Sequence, residues 1–272
     1  MFIKTFLERT ISVLGRDVLV SILSFMVTTY LAKALGAEIF GLWIGVVTLL
    51  ALLDLAFRLK IDQLIIFYSK EYPSNVELYK KVSVISVYAL IVAGVILLFS
   101  HGLIVDFFNL GSGYFLALIF FTFIFSVFGN ISFYILLSEA KYSAYNFAIL
   151  IQSISTAVLV FSFFYFFNSS IILAVLAQLL SWMGVLLFFI FCQYKDKQKY
   201  SKKTPGLSSR DILLKGSYIY TSSAVRSMAE QLPRLFAINF LGPIFVGNLG
   251  LVQLIVGLIN RVPSAINTVL YP

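Results

Sequence analysis

Eight long apolar runs, separated by short polar segments, are the feature that most limits how this chain can fold. A helix needs about 20 mostly apolar residues to cross a bilayer, whereas a barrel strand needs only about ten. Each run is long enough for a helix, and none shows the two-residue alternation of a strand. The sequence therefore predicts an all-α integral membrane protein with about eight transmembrane helices, at residues 10–34, 41–66, 82–100, 114–137, 145–167, 171–193, 212–240 and 244–270.

The composition agrees with a membrane location and excludes several classes of function. Hydrophobic residues make up 60% of the 272 residues and charged residues only 12%, against about 25% charged in soluble domains. The net charge of +8 comes from Lys and Arg in short loops rather than from a basic face, so no nucleic-acid partner is expected. A single Cys and a single His exclude a disulfide framework and a Cys/His metal cluster, and no cofactor is expected.

The distribution of loop charge predicts the direction in which the chain crosses the membrane. Loops after even-numbered spans are rich in Lys and Arg, and loops after odd-numbered spans hold neither. The basic loops are 67–81, 138–144 and 194–211, and the others are 35–40, 101–113, 168–170 and 241–243. Because basic loops stay in the cytoplasm, we expect a cytoplasmic N-terminus. No small-residue cleavage site follows the first apolar stretch, so the first helix is expected to remain as an anchor.

Two loops six spans apart share a glycine pattern. Residues 35–41 (LGAEIFG) and 241–247 (LGPIFVG) both begin with Leu-Gly and end with Gly, at the same place in a helix–turn–helix pair. Glycine can end one helix and start another because it tolerates positive φ. Since six spans restore the direction of crossing, the pattern predicts a parallel repeat.

The repeat predicts two parts of unequal completeness. Residues 1–200 would form a six-helix N-terminal bundle, and residues 201–272 the first two helices of an incomplete C-terminal bundle. A full second copy needs six spans, and the sequence reaches two of them. We expect the chain to be the first part of a longer protein; the alternative is that another subunit supplies the missing helices.

Three stretches carry a family resemblance: residues 24–41 with the first turn, the polar stretch 54–62 in span two, and the restart at 239–243 after a basic loop. Together they resemble the polysaccharide-transporter branch of the multidrug/oligosaccharidyl-lipid/polysaccharide exporter superfamily, which includes the O-antigen flippases. The resemblance implies two six-helix bundles around a central cavity in the bacterial plasma (inner) membrane. It also implies that a polyprenyl-pyrophosphate-linked oligosaccharide, an O-antigen or capsular or exopolysaccharide repeat unit, crosses by alternating access. Polysaccharide polymerase and other envelope assembly proteins are the partners it suggests.

Span seven carries the first set of candidate binding residues. Arg226, Glu230 and Arg234 lie at intervals of four, which predicts one helix face, and Pro233 predicts a kink. Ionisable groups inside a span usually face a cavity or a partner. Arg suits a pyrophosphate-bearing glycolipid because its planar guanidinium bonds phosphate oxygens bidentately. We expect the two arginines to line a water-accessible cavity; the alternative is an Arg–Glu–Arg network that only locks helix packing.

Span two carries the second set of candidate functional residues. Asp54, Arg58 and Asp62 share the interval of four, and Lys60 lies on another face of a regular helix. Asp54 and Arg58 predict an intrahelical ion pair, with coupling-ion or proton binding by Asp54 as the alternative. Lys60 and Asp62 are expected to reach the lipid headgroups, and Arg58 is also a candidate for contact with substrate.

The remaining polar residues within spans are less specific. Arg16 and Asp17, in the first turns of span one, are expected at the cytoplasmic mouth, with Arg261 at similar depth. We interpret them as membrane-edge anchors, with an ion-pair or coupling role for Arg16 and Asp17 as the alternative. Buried amides predict hydrogen bonds between helices or contacts to sugar hydroxyls, and the sequence does not rank them. The amides are Asn146, Gln152, Gln178, Asn248, Gln253 and Asn260.

Transport is the leading hypothesis for the function, with the lipid bilayer and a lipid-linked oligosaccharide as partners. A drug or cation exporter of the same fold would need an acidic interior, whereas Arg is in excess in these spans. A membrane-embedded glycosyl- or acyltransferase of envelope polysaccharide synthesis would need a positioned acid, base or nucleophile at the membrane face. The sequence offers no His–carboxylate pair there, so we predict that the protein is not an enzyme.

Overall fold

The computed structural model describes residues 2–69, 76–195 and 209–259, and these residues are almost entirely helical. No strand occurs among them, so the prediction of an all-α protein is confirmed. The helices are α1 (Phe2–Leu53), α2 (Leu64–Ser69), α3 (Val76–Phe99), α4 (His101–Phe108), α5 (Gly113–Ser138), α6 (Tyr142–Phe166), α7 (Ile171–Lys195), α8 (Ser209–Phe240) and α9 (Pro243–Ile259). Most of the basic loop at 194–211, the end of span eight, Asn260 and Arg261 lie outside the described residues.

Helix α1 contains the whole of the first predicted span and residues 41–53 of the second. Its backbone leaves helical geometry at Gly36, where φ is 76° and ψ is 165°. Leu23 and Val47, on opposite sides of this glycine, line the same cavity. A straight helix would separate them by about 36 Å at 1.5 Å per residue. The chain therefore turns back at Gly36, and the first segment of α1 (residues 2–35) lies beside the second (residues 37–53).

Within the described residues, five helical stretches are long and apolar enough to cross a bilayer. The longest, Ser12–Arg58, has 47 residues, enough for two crossings of a hydrocarbon core about 30 Å thick. The other four coincide with α3, α5, α6 and α7. Helix α9 is apolar but shorter, and α8 does not meet the requirement because it is more polar. The chain is a multi-pass membrane protein, and the polar side chains of α8 need protein or water beside them.

The second span is broken where its charged residues lie. A π-helix covers Asp54–Arg58, and a 3-10 helix covers Ile61–Gln63. Between them, Leu59 and Lys60 both adopt left-handed backbone with φ of 51°. A single continuous helix over residues 41–66 is therefore wrong. A regular helix would place Lys60 about 120° around the axis from Asp54, and the break brings these two side chains together.

The outer loop predicted at 101–113 contains a helix. Helix α4 follows α3 after the single residue Ser100 and ends at Phe108; the capping residue Asn109 has a left-handed φ of 52°. Its eight residues are too few to cross a bilayer, so hydropathy does not distinguish this segment from a loop.

Helix α9 packs chiefly against α1, and the two glycine-containing turns have the same backbone feature. Gly36 has a φ of 76° and Gly242 a φ of 81°. Only glycine adopts this region without a steric penalty, which explains why Leu-Gly occurs at both turns. The parallel repeat itself stays a prediction.

The final glycine of each turn lies against the other turn. At Gly41, an added Cβ would overlap the backbone carbonyl of Pro243. At Gly247, an added Cβ would lie 3.1 Å from Phe40 Cδ1 and 3.5 Å from the backbone oxygen of Ala37. The contact is therefore reciprocal: it leaves no room for a side chain at Gly41 and makes an added Cβ tight at Gly247.

Two apolar clusters form the interior of the described part of the chain. The larger joins the second segment of α1 to α3 and α5, and the smaller joins both segments of α1 to α6, α7 and α9. Val27, Ile44 and Ala174 belong to the smaller cluster and also line the cavity described below. The division into a bundle at 1–200 and a helix pair at 201–272 stays a prediction.

Candidate functional site

A cavity of about 390 Å³ opens between the two segments of α1 and helices α6, α7, α8 and α9. Its lining residues lie between four and sixteen residues from the nearest of the turns at 36, 167–170 and 241–243. At 1.5 Å per residue this is a depth of about 6–24 Å along the helices. The cavity therefore begins near these turns and extends into the middle of the membrane.

The lining combines an apolar surface with hydroxyl and amide groups. Its neutral polar members are Ser24, Thr28, Gln152, Ser153, Thr156, Gln178 and Gln253. Arg234 is the charged residue of this lining. Such a surface can hold a polar, uncharged group and one anionic group at the same time.

Arg234 is held at the cavity by amides rather than by a carboxylate. Its Nε donates a hydrogen bond to Gln253 Oε1, and its Nη1 lies 3.4 Å from Gln231 Oε1. Gln253 Nε2 in turn donates to the backbone oxygen of Glu230 at 3.2 Å. Among the described residues no carboxylate forms an ion pair with Arg234, so its positive charge remains available to an anion.

Arg226 does not line this cavity, contrary to the expectation that both arginines would do so. Its Nε lies 3.2 Å from Glu230 Oε1, and the two side chains are 70% and 59% exposed. Eight residues rotate an α-helix by about 80° beyond two full turns. Arg226 and Arg234 therefore point about a quarter turn apart on a regular helix. Pro233 lies within α8.

The charged residues of span two form a buried cluster away from the cavity lining. Arg58 Nη1 lies 2.6 Å from Asp54 Oδ1, which is the predicted pair, and Arg58 Nε lies 3.3 Å from Asp62 Oδ2. Lys60 Nζ lies 2.9 Å from Asp54 Oδ2. The side chains of Arg58 and Asp62 are 8% and 1% exposed. Lys60 thus pairs with Asp54, and Asp62 pairs with Arg58, inside the protein. This differs from the expectation that Lys60 and Asp62 would reach the lipid headgroups.

This cluster is joined to a neighbouring helix by neutral groups. Gln63, directly after Asp62, donates its side-chain N–H to Tyr134 Oη of α5 at 3.2 Å. Two acidic and two basic groups give the cluster no net charge. The arrangement fixes the broken part of span two against α5, because each buried charge has an opposite partner.

Arg16 and Asp17 are buried as well, each with 6% exposure, rather than lying free at a membrane edge. Arg16 Nη2 lies 2.7 Å from Asp17 Oδ1, and its Nη1 donates to Asn146 Oδ1 of α6 at 2.9 Å. The Arg16 guanidinium also lies 5.0 Å from the ring centre of Tyr145. The ion-pair interpretation fits these contacts, which link the start of α1 to the start of α6.

The structure ranks the amides that the sequence left unranked. Gln152, Gln178 and Gln253 line the cavity, Asn146 pairs with Arg16, and Asn248 is exposed.

Sequence reasoning missed the lining hydroxyls at Ser24, Thr28, Ser153 and Thr156. A signal was present in the spacing, because Ser24 and Thr28 are four residues apart and share a helix face.

The fold and site define a multi-pass helical membrane protein with an internal cavity that carries a fixed positive charge. The chain belongs to the polysaccharide biosynthesis protein family, whose family model matches residues 6–272. A search of curated proteins finds no match. A solved structure, protein A, has a TM-score of 0.73 and 17% sequence identity to this chain. The match covers 99% of this chain and 64% of that chain, and it shows similarity of fold.

Proposed function

We propose that the protein translocates a lipid-linked, anionic oligosaccharide precursor across the bacterial plasma membrane by alternating access. The observation that carries the proposal is the cavity, whose lining provides hydroxyl and amide groups together with the guanidinium of Arg234. A polyprenyl-pyrophosphate-linked oligosaccharide has both complementary parts, an anionic phosphate group and a set of sugar hydroxyls. Membership of the polysaccharide biosynthesis family supports the same substrate class.

Arg234 is the proposed contact to the pyrophosphate. Its guanidinium is held by Gln253 and Gln231, and such a planar fork can bond two phosphate oxygens. A cation exporter on this fold would instead need carboxylates at the cavity, and this lining contains none.

The other residues assigned from the sequence remain proposals with narrower roles. Arg226 and Glu230 form an exposed pair that would extend the substrate path along α8. Arg58 would act through its buried cluster rather than by touching substrate in this cavity. Asp54, Arg16 and Asp17 are proposed as ion-pair residues, with coupling to an ion as the further proposal.

The test is a complementation experiment with the complete protein in its host, after deletion of the chromosomal copy. Arg234→Ala is expected to abolish surface polysaccharide and to cause accumulation of the complete lipid-linked precursor, at unchanged membrane abundance. Arg234→Lys is expected to restore part of the activity, because the charge remains and the bidentate geometry does not. Lys33→Ala is the matched control, since Lys33 is an exposed cation of α1 outside the cavity lining.

The precursor pool separates transport from catalysis. Loss of a flippase leaves the precursor complete, whereas loss of a glycosyl- or acyltransferase leaves it unfinished. An unfinished precursor, or full surface polysaccharide with Arg234→Ala, would contradict the proposal.

A further inference from the structure

The cavity wall formed by α6 and α7 is neutral and rich in hydrogen-bonding groups. Gln152, Ser153 and Thr156 reach it from α6, and Gln178 reaches it from α7. No charged residue of the cavity lining lies on these two helices, because Arg234 comes from α8. The cavity is thus divided by chain segment into an uncharged polar wall and a cationic side.

The hydroxyl groups of this wall are already engaged with the protein. Thr156 Oγ1 lies 2.8 Å from the carbonyl of Gln152 and 2.8 Å from Ser181 Oγ. Ser181 Oγ also donates to the carbonyl of Gln178 at 2.8 Å. These bonds join α6 to α7 and hold the backbone from which the two glutamine side chains extend. The amide groups therefore start from fixed positions.

Gln178 has a hydrogen-bond acceptor without a donor at this wall. Its Oε1 is buried and has no hydrogen-bond partner among the described residues. A buried acceptor without a donor destabilises a protein, and such groups in native proteins normally have a partner or a role. Gln178 lines the cavity, and a rotation of its side-chain amide would turn this acceptor towards the cavity, where a ligand hydroxyl can donate the missing hydrogen bond.

Another part of the lining suits a sugar ring. Trp43 of α1 also lines the cavity, and its indole presents a large apolar face of the kind that packs on the C–H face of a sugar. The volume of about 390 Å³ lies at the lower end of the range of ligand sites, about 300–1,000 Å³. The space fits a small part of an oligosaccharide rather than a whole repeat unit.

We propose that the α6–α7 wall is a binding subsite for the hydroxyl groups of a neutral sugar ring, and that Gln178 determines its specificity. This subsite rests on the proposed function but differs from it, since the anionic group is assigned to Arg234. The sugar and the phosphate are therefore recognised by different helices.

Trp43 provides a direct measurement of occupancy. The chain has two tryptophans, and the other, Trp182, packs against Phe133 outside the cavity lining. In a Trp182→Phe background, the fluorescence of the purified chain in lipid nanodiscs reports on Trp43 alone. The probes are N-acetylglucosamine and galactose, with sorbitol as an acyclic polyol control and inorganic pyrophosphate as the anion.

The expected result is a separation of two binding events. At least one of the two sugars gives a saturable change that sorbitol does not give. Gln178→Leu weakens this sugar binding about tenfold, which corresponds to the loss of one hydrogen bond to a buried acceptor, and leaves pyrophosphate binding unchanged. Arg234→Gln weakens pyrophosphate binding and leaves sugar binding unchanged. Gln193→Leu, the same substitution on α7 outside the cavity lining, changes neither.

A stability measurement separates ligand binding from a structural role. Without sugar, Gln178→Leu is expected to unfold at the same or a higher temperature, because it removes a buried unpaired acceptor. Gln178→Asn keeps an amide on a shorter side chain and is expected to bind sugar with intermediate affinity. Unchanged sugar binding in Gln178→Leu, or no saturable response to either sugar while pyrophosphate binds, would overturn the subsite and leave the proposed transport function intact. Absence of pyrophosphate binding would count against the proposed function itself.

Discussion

Replacing Arg58 with methionine is expected to destabilise the protein strongly, and the structure provides the magnitude. Arg58 is the partner of both Asp54 and Asp62, at 2.6 Å and 3.3 Å, and its side chain is 8% exposed. Removing it leaves Lys60 alone to balance two carboxylates. Breaking a buried ion pair by removing one partner costs about 3–5 kcal/mol, so Arg58→Met is expected to lose that amount of unfolding free energy.

A second substitution tests the electrostatic cause. In Arg58→Met/Asp62→Asn, one negative charge is removed and the Asp54–Lys60 pair at 2.9 Å remains balanced. The double variant should therefore recover most of the unfolding free energy that Arg58→Met loses. A double-mutant cycle measures this recovery as the coupling energy between Arg58 and Asp62. The assay measures unfolding of the purified protein in detergent, brought about by heating or by titration with SDS.

Arg226→Met is the control for the same substitution at an exposed pair. Because Arg226 and Glu230 are 70% and 59% exposed, this change is expected to cost less than about 1 kcal/mol. The reasoning is refuted if Arg58→Met is no less stable than Arg226→Met, or if Asp62→Asn does not rescue it.

Two further predictions concern the turns and the orientation. Gly41→Ala is expected to lower the unfolding temperature, because the new Cβ overlaps the Pro243 carbonyl, whereas Gly15→Ala, with open space around it, is expected to be neutral or stabilising; equal unfolding temperatures would contradict the proposed close contact. With Cys192 replaced by alanine, a cysteine at Ser112 should react with an impermeant thiol reagent in intact cells, and a cysteine at Ser201 only after permeabilisation; the opposite pattern would reverse the proposed orientation.

The fold could be predicted from the sequence to the extent that it depends on hydropathy. The spans that became α3, α5, α6 and α7 are long and apolar, and bilayer thickness leaves few alternatives for them. The turn at Gly36 was predictable too, because a glycine between two apolar runs tolerates the positive φ that the turn adopts without a steric penalty. Helix α4 was not predictable, since its eight residues are too few for a membrane span and too apolar to be told from the loop around them by hydropathy.

The candidate site was harder to predict because it depends on rotation and on breaks in the helices. An interval of four residues places two side chains on one face, but two such intervals separate Arg226 from Arg234 by about 80°. Lys60 reaches Asp54 only because two left-handed residues interrupt span two. Neither residue is glycine, so the sequence gives no local sign of the break. The cavity itself combines distant segments, and pairing between them is not encoded in local spacing.

The neutral cavity wall comes from one uninterrupted stretch of chain, the α6–α7 hairpin at residues 142–195, while the guanidinium comes from α8. A hairpin with its own interhelical bond between Thr156 and Ser181 can be inherited, recombined or transplanted as one block. Sugar preference could then diverge rapidly among relatives through exchange of this block, while the anion contact on α8 stays constant. Under the proposed function, chimaeras that swap residues 142–195 are accordingly the natural starting point for changing which glycan is bound.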